Sequence, residues 1–239
     1  MRLDNYLVEK GLFDSRTKAK QAIERGEIFV DKKKITKSSF EIKDNSVEIE
    51  HVYKSKFVSL GGFKLEKAIS DFNFCVKDLV VADIGASTGG FTDCLLQNGA
   101  KKVFAVDLND SLLHPQLKNN DSVVSIIKNA RDLTREDFDS NLDLIVADLS
   151  FISITQVIET FSNLLDKGKK LILLIKPQFE IGEHKRFKNG IIKDKKIHDK
   201  VCQNVIEIAR EYNLEKIDIT SAPINENKNI EFLVLLQKI

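Results

Sequence analysis

Apolar residues recur along this chain in two rhythms, and the change of rhythm divides it. Short apolar runs or alternations bounded by Gly, Asn, Asp or Lys occupy 79–84, 102–107, 123–127, 142–149, 170–176, 216–221 and 231–237. Runs of that length read as strands, the most continuous of them buried on both faces. Between them, apolar positions spaced by three and four predict helices near 91–98, 111–117, 154–165 and 198–212, with another over 65–72 ahead of the first strand. Strand and helix in alternation predict an α/β fold with a doubly wound, mostly parallel sheet of about seven strands, the last strand antiparallel. The first fifty residues differ. Leu3, Tyr6 and Leu7 share a helix face; Asp14 or Ser15 caps a second helix that buries Ala19, Ala22 and Ile23 and ends at Gly26. Ile28–Val30, Phe40–Ile42 and Val47–Ile49 read as short strands. The expected organisation is a small α+β domain over 1–50, a polar linker over 51–59 and a larger domain over 60–239. A long connection of Gly, Lys and polar residues covers 180–197, and loops of that length are usually functional or disordered.

The strand at 79–84 breaks into Gly85–Ala86–Ser87–Thr88–Gly89–Gly90 just before the helical pattern of Phe91, Leu95 and Leu96. A tight glycine turn of this kind lets a ligand approach the backbone, and the following helix offers unpaired N–H groups. A dinucleotide site requires G-x-G-x-x-G, which fails here because position 87 is serine. An acid, Asp83, followed by G-x-x-x-G-G looks instead like the S-adenosylmethionine (SAM) loop of Rossmann-like methyltransferases, with Asp83 facing the cationic amino-acid end of the cofactor. The second strand ends in Asp107, placed to accept both ribose hydroxyls, and the third leads to Asn129–Ala130–Arg131–Asp132, where Asp132 could accept from the adenine amino group. Asp83, Gly85, Ala86, Ser87, Gly89, Gly90, Phe91, Asp107 and Asp132 are therefore the expected cofactor contacts.

Composition narrows the class. Apolar residues make up 42% and charged residues 31% of 239 positions, and no uninterrupted apolar run is longer than that at Leu171–Ile175, far short of the ~20 residues of a membrane helix. No apolar signal segment opens the sequence, so a cytoplasmic location is expected. The three cysteines are isolated and the four histidines form no ligand-spaced pair, so neither disulfides nor a metal site is expected. Net charge is +1, but residues 1–60 carry 13 Lys/Arg against 10 Asp/Glu, which moves the positive excess to the small domain.

That domain reads R-L-D-x-Y-L-x-x-x-G-L-x-x-S-R-x-x-A-x-x-x-I-x-x-G-x-I-x-V and resembles the S-four type RNA-binding module, or αL motif, with Arg2, Asp4, Tyr6, Gly11, Ser15, Arg16, Ala19 and Gly26 in place. The resemblance implies RNA contact through Arg2, Arg16, Lys18, Lys20 and Arg25. Asp31–Lys32 stands where relatives usually have Asn-Gly, so either Lys32 is strained or the turn differs.

Four polar residues interrupt apolar or turn-forming sequence in the large domain: Lys64 after Gly61–Gly62–Phe63, Asp148 after Leu142–Ala147, Lys176 after Lys170–Ile175, and Glu231 at the start of the last strand. In open α/β sheets ligands collect at the carboxyl ends of the strands, where Asp148 and Lys176 fall. The order Lys, Asp, Lys, Glu, with D-I-G-A-S-T-G-G-F, A-D-L-S-F-I-S and K-P-Q-F-E, resembles the FtsJ-like ribose 2′-O-methyltransferases. With the N-terminal module, nearly the whole chain resembles the TlyA (haemolysin A) family of rRNA 2′-O-methyltransferases. Leu60 departs from the arginine usual in that family. The resemblance implies a catalytic tetrad of Lys64, Asp148, Lys176 and Glu231, with SAM as cofactor. The expected substrate is a cytidine of the large-subunit rRNA, with the small-subunit rRNA as a further target, met in ribosomal subunits or their precursors. Lys176 is the expected base for the ribose hydroxyl, Lys185 and Arg186 are expected to clamp phosphates, and Phe151 or Phe179 to support the displaced nucleotide. No membrane and no metal are expected as partners, and a monomer is expected. Rival readings are a non-catalytic rRNA assembly factor, a membrane-active haemolysin and a nicotinamide oxidoreductase.

Overall fold

The computed structural model describes residues 1–24, 26–43, 47–51, 56–181, 190–223 and 228–239. The chain forms two compact units, Met1–Lys56 and Phe57–Ile239. Helices α1 (Leu3–Glu9) and α2 (Arg16–Glu24) of the first unit bury Leu3, Tyr6, Leu7, Ala19, Ala22 and Ile23 against a three-stranded sheet. Ser15 caps α2 through its Oγ, which accepts from the Lys18 N–H, and Gly26 leaves the helix at φ +72°.

The sheet differs from expectation. Strands β1 (Ile28–Val30) and β2 (Lys33–Ile35) form a hairpin, and β3 (Ile49–His51) pairs on the other side of β1. Asp31 and Lys32, both at positive φ, make a two-residue turn, so the tight turn survives without Asn-Gly and Lys32 is held at φ +63°. Phe40–Ile42 is not a strand. Only Glu41 bridges to Arg2, while Leu3 N–H bonds Phe40 O and Ile42 N–H bonds Met1 O, so this segment is consumed in closing the chain start. The linker is also shorter than 51–59: His51 belongs to β3, and Phe57 is buried in the second unit.

In the second unit the strands β4 (Val80–Ile84), β5 (Lys102–Asp107), β6 (Val123–Ile127), β7 (Leu142–Ala147), β8 (Leu165–Ile175), β9 (Leu214–Ser221) and β10 (Phe232–Lys238) form one sheet ordered β6-β5-β4-β7-β8-β10-β9. Pairing is parallel from β6 to β8, and β10 runs antiparallel to both its neighbours. Alternation along the strands feeds two cores. Ala82, Phe104, Ile145 and Leu173 face α6 (Ile158–Leu164) and α8 (Lys195–Glu211); Val81, Val103, Leu144 and Leu174 face α3 (Gly61–Asp71) and α4 (Gly90–Gln97). Two short helices, α5 (Pro115–Lys118) and α7 (Pro177–Glu180), complete the unit.

Helix α3 starts at Gly61, four residues before the expected Leu65. Gly62, one of the two glycines that read as a loop, is a packing position. A Cβ on Gly62 would lie 2.3 Å from the Phe57 ring, and one on Gly90 would lie 2.9 Å from the Gly62 nitrogen, so only glycine lets α3 and α4 approach this closely. The expected 111–117 helix is a short 3-10 turn at Asp110–Leu112 followed by α5, because Pro115 has no N–H with which to continue a helix from 111.

Candidate active site

At the carboxyl ends of β4 and β7, two cavities meet. One, of about 540 Å³, is lined by the start of α3, the glycine turn, Asp148, Lys176, Asn229 and Glu231. The other, of about 460 Å³, runs from Gly85 over Asp107 and Leu112 to Ala130 and Ile152. Gly85, Ser87, Asp148 and Ser150 line both.

The glycine turn is built by the neighbouring strands. Gly85 and Ala86 N–H groups both bond Val106 O, and Ser87, at φ +50°, donates its N–H to Asp107 Oδ2 at 2.8 Å. Gly85 is at φ +84°, and a Cβ there would lie 2.6 Å from the Asp148 carbonyl, so the turn and the Asp148 strand end share one van der Waals surface. Ala86, Ser87, Gly90 and Phe91 line the first cavity as expected. Gly89, at φ +90°, lines neither cavity; it is packed beneath Leu113 and Leu117.

Two acids depart from their expected places. Asp83 is fully buried and lines neither cavity, because strand alternation puts it on the Val81 face beneath α4. There its Oδ2 accepts from Thr92 Oγ1 at 2.6 Å, and its Oδ1 has no partner. Burial raises its pKa to about 7 against the opposing Thr92 hydrogen bond. Asp132 is exposed and outside the second cavity, whose wall is Asn129, Ala130 and Arg131. The short 3-10 turn at Ala130–Asp132 is closed by the Asp132 N–H on Asn129 O, which carries Asp132 past the rim. Asp107 does line the cavity.

The four polar residues from four distant segments come together. Lys64, on the first turns of α3, lies 2.7 Å from Glu231 and 3.6 Å from Asp148. Burial pulls the Lys64 ammonium down, but the two carboxylates outweigh it and hold its pKa above the ordinary value. Lys176, 7% exposed at the end of β8, lies 2.5 Å from Asp148 Oδ1 and donates to Ser150 Oγ at 2.7 Å. Ser150 was not among the expected site residues, although A-D-L-S lay beside Asp148. Another residue missed by sequence reasoning is Glu180, which accepts from the Ile154 N–H and the Ser153 hydroxyl and ties α7 to the 148–154 segment. Burial raises its pKa, against both of those hydrogen bonds. Phe151 stands 89% exposed at φ +68° with its ring 5.5 Å from that of Phe179.

The expected RNA contacts of the first unit are tied into ion pairs. Arg2 and Arg16 both reach the buried Asp4, at 2.9 and 3.0 Å; the Arg2 hydrogen bond, with Arg16, lowers the Asp4 pKa to about 2. Lys18 pairs with Asp14 and Lys20 with Glu24, and all four cations remain solvent-accessible. Arg25, Lys185 and Arg186 lie outside the described residues. Among the described residues no group of His, Cys, Asp and Glu is placed to hold a metal ion, and no helix is long and apolar enough to cross a membrane.

A parallel sheet with an antiparallel last strand, a glycine turn at its switch point and this Lys-Asp-Lys-Glu cluster define a Rossmann-like methyltransferase. Comparison with known proteins agrees. Residues 57–238 match the FtsJ-like methyltransferase family and residues 1–47 the S4 domain. Hemolysin A of Brachyspira hyodysenteriae is 42% identical over 98% of each chain. The 16S/23S rRNA (cytidine-2'-O)-methyltransferase TlyA of Mycobacterium tuberculosis is 32% identical, over 99% of this chain and 89% of its own. The fold is also that of a SAM-dependent methyltransferase from Mesorhizobium loti, at a TM-score of 0.56 and 13% identity, covering 75% of this chain and all of the other. The chain belongs to the FtsJ-like methyltransferase family, in the branch that carries an S4 domain and includes proteins called TlyA and hemolysin A.

Proposed function

We propose that this protein transfers a methyl group from SAM to the 2′-hydroxyl of a cytidine in ribosomal RNA, in the cytoplasm, with the S4 domain holding the RNA. The observation that carries the reading is the Lys64–Glu231 and Asp148–Lys176 cluster opening onto the cavity that the glycine turn also lines.

The residues fit the cofactor's chemistry. Asp107 faces the second cavity with a carboxylate suited to a ribose diol, and Leu112, Ala130 and Ile152 offer apolar surface to a purine. Gly90 and Phe91, at the start of α4, line the first cavity. SAM supplies an already activated methyl whose leaving thioether is neutral, so the protein's task is the acceptor. A ribose hydroxyl is a weak acid and needs a positioned base. Lys176, screened from water and held by Asp148, takes that proton as the oxygen attacks the methyl carbon. Lys64, fixed as a cation between Asp148 and Glu231, stabilises the negative charge developing on the oxygen and keeps both acids from repelling it. In-line placement of oxygen and methyl supplies much of the remaining acceleration. Phe151, exposed on a strained backbone and backed by Phe179, is suited to stack on a nucleotide drawn out of its helix.

An rRNA-binding assembly factor or a haemolysin has no use for a screened lysine paired to an acid beside a cofactor turn. The test is nucleoside mass spectrometry of rRNA from cells with and without the gene. Loss of one 2′-O-methylcytidine on deletion supports the reading; an unchanged ribose-methylation pattern sinks it.

A further inference from the structure

Ser150 is a polar residue of this site that the tetrad chemistry leaves without a role, and its geometry supplies one. A lysine acting as a base must be a neutral amine, which has two N–H donors and one lone pair arranged tetrahedrally. Rotation about the last side-chain bond can aim that lone pair in three directions, and only one of them faces a substrate. Among the described residues, Lys176 Nζ donates to Ser150 Oγ at 2.7 Å and forms an ion pair with Asp148 Oδ1 at 2.5 Å, a contact without hydrogen-bond geometry. We propose that Ser150 is a positioning residue for methyl transfer: it accepts from one N–H of the neutral Lys176 amine, while the Asp148 carboxylate oxygen beside the amine repels a lone pair from its own side, so that the lone pair points into the cavity, toward the ribose hydroxyl.

This inference rests on the methyltransferase reading above and deepens it. The Asp148 carboxylate alone keeps the lone pair off one side and leaves the amine free to turn between the other two directions. An acceptor from a different direction stops the turning. Ser150 is well placed to stay put. The segment that carries it is anchored at one end by the Asp148 N–H on Ile84 O. At the other end Glu180 accepts from Ser153 and Ile154, and Glu180 is itself only one short helix beyond Lys176. Base and positioning hydroxyl are therefore carried on two segments that are bonded to each other. Ser150 also lines both cavities, so its hydroxyl lies where the cofactor side and the acceptor side of the site meet. After transfer the same hydroxyl remains an acceptor for the Lys176 ammonium, so its bond persists while the proton is held.

The experiment measures kcat and KM with tritiated SAM and ribosomal subunits purified from cells lacking the gene, for the wild-type protein, Ser150→Ala and Ser150→Thr. A misaimed base slows the chemical step without weakening binding. Ser150→Ala is expected to lower kcat by about 10- to 100-fold, with KM for the subunits and the SAM affinity measured by calorimetry both within about 2-fold of wild type. Ser150→Thr keeps a hydroxyl on an exposed residue and is expected to recover kcat to within about 3-fold of wild type. Wild-type kcat in Ser150→Ala overturns the proposal while leaving the methyltransferase reading intact. So does a threonine variant as slow as the alanine one, because the hydroxyl would then not be what matters. A loss confined to KM or to SAM affinity also overturns it, as that marks a binding residue. A wild-type protein that methylates no ribose in these subunits overturns both readings together.

Discussion

Replacing Asp83 by Asn should stabilise the second unit at pH 8 relative to pH 5. The carboxyl is fully buried, with one oxygen on Thr92 and the other without a partner, and its pKa is raised from 3.8 to about 7. A carboxyl whose folded pKa lies above its unfolded one favours folding most at low pH. That contribution declines as pH rises from about 4 through about 7, while the folded protein still holds a proton that the unfolded chain has released. With these two values, linkage gives a wild-type loss of about 2 to 3 kcal/mol between pH 5 and pH 8 from this group alone. Asparagine has the same shape and no charge to bury, so it escapes the loss. Its own buried NH2 facing the unpartnered direction costs about 1–3 kcal/mol, but equally at both pH values, so it cancels in the comparison. The assay is urea unfolding of both proteins followed by far-ultraviolet circular dichroism at pH 5 and pH 8. Every other titrating group is common to the two proteins. A stability difference between them that does not change with pH would refute the argument and place an ionised, compensated Asp83 in the fold.

Lys176→Ala should abolish methyl transfer yet leave SAM affinity within a few-fold by calorimetry, since the lysine acts only as the hydroxyl loses its proton. Lys64→Met should cost at least about 100-fold in kcat, because Asp148 and Glu231 would then face the developing oxyanion uncompensated; near-normal turnover would contradict that role. In the first unit, Asp4 is held at about 2 by Arg2 and Arg16, so its stabilisation is present above about pH 4 and lost as pH falls toward 2, up to about 2 kcal/mol. An acid titration monitored by NMR should show that unit loosening in this range, and the same loss persisting undiminished in Asp4→Asn would count against it. Arg16 is thus a poor probe of RNA contact, because reversing it would set two acids together. Lys18→Glu with Lys20→Glu should instead weaken binding to ribosomal subunits and flatten its salt dependence, leaving SAM affinity unchanged.

Much of this site was legible because its signals are local. The glycine turn announces itself by spacing, and Asp148 and Lys176 each end an apolar run, which in a parallel sheet means the ligand-binding edge. What spacing cannot show is the direction of a side chain at such an end. Asp83 and Asp107 look equivalent in sequence, but Asp83 lies within its strand on the Val81 face and is buried, while Asp107 is the last residue of β5 and reaches the cavity. Asp132 stands outside the cavity wall for the same kind of reason: it is the last residue of a single 3-10 turn. Gly61 and Gly62 were misread as loop because low helix propensity is a local property, whereas Gly62 makes room for Phe57 and Gly90, far along the chain, lets α4 come up against the start of α3. Ser150 and Glu180 stood inside the A-D-L-S-F-I-S and K-P-Q-F-E motifs without a role of their own, since a serine in a turn and an acid after a proline are ordinary until their partners are known. Strand β2 of the small sheet was missed because hydrophobicity marked Phe40–Ile42 rather than the lysine-rich Lys33–Ile35, whereas pairing at Phe40–Ile42 is spent on Met1 and Leu3.

The order in which the site's parts leave the ribosome has its own meaning. Lys64 is made early, Asp148 and Lys176 later, and Glu231 opens β10, which must slot between β8 and β9 in the middle of that half of the sheet. A chain that has released β1 to β9 but not β10 carries the glycine turn, Asp148 and Lys176, yet it lacks the acid that holds Lys64, and β8 and β9 have no strand between them. One segment, made last of the site's parts, therefore completes both the far half of the sheet and the charge balance of the cluster at its edge.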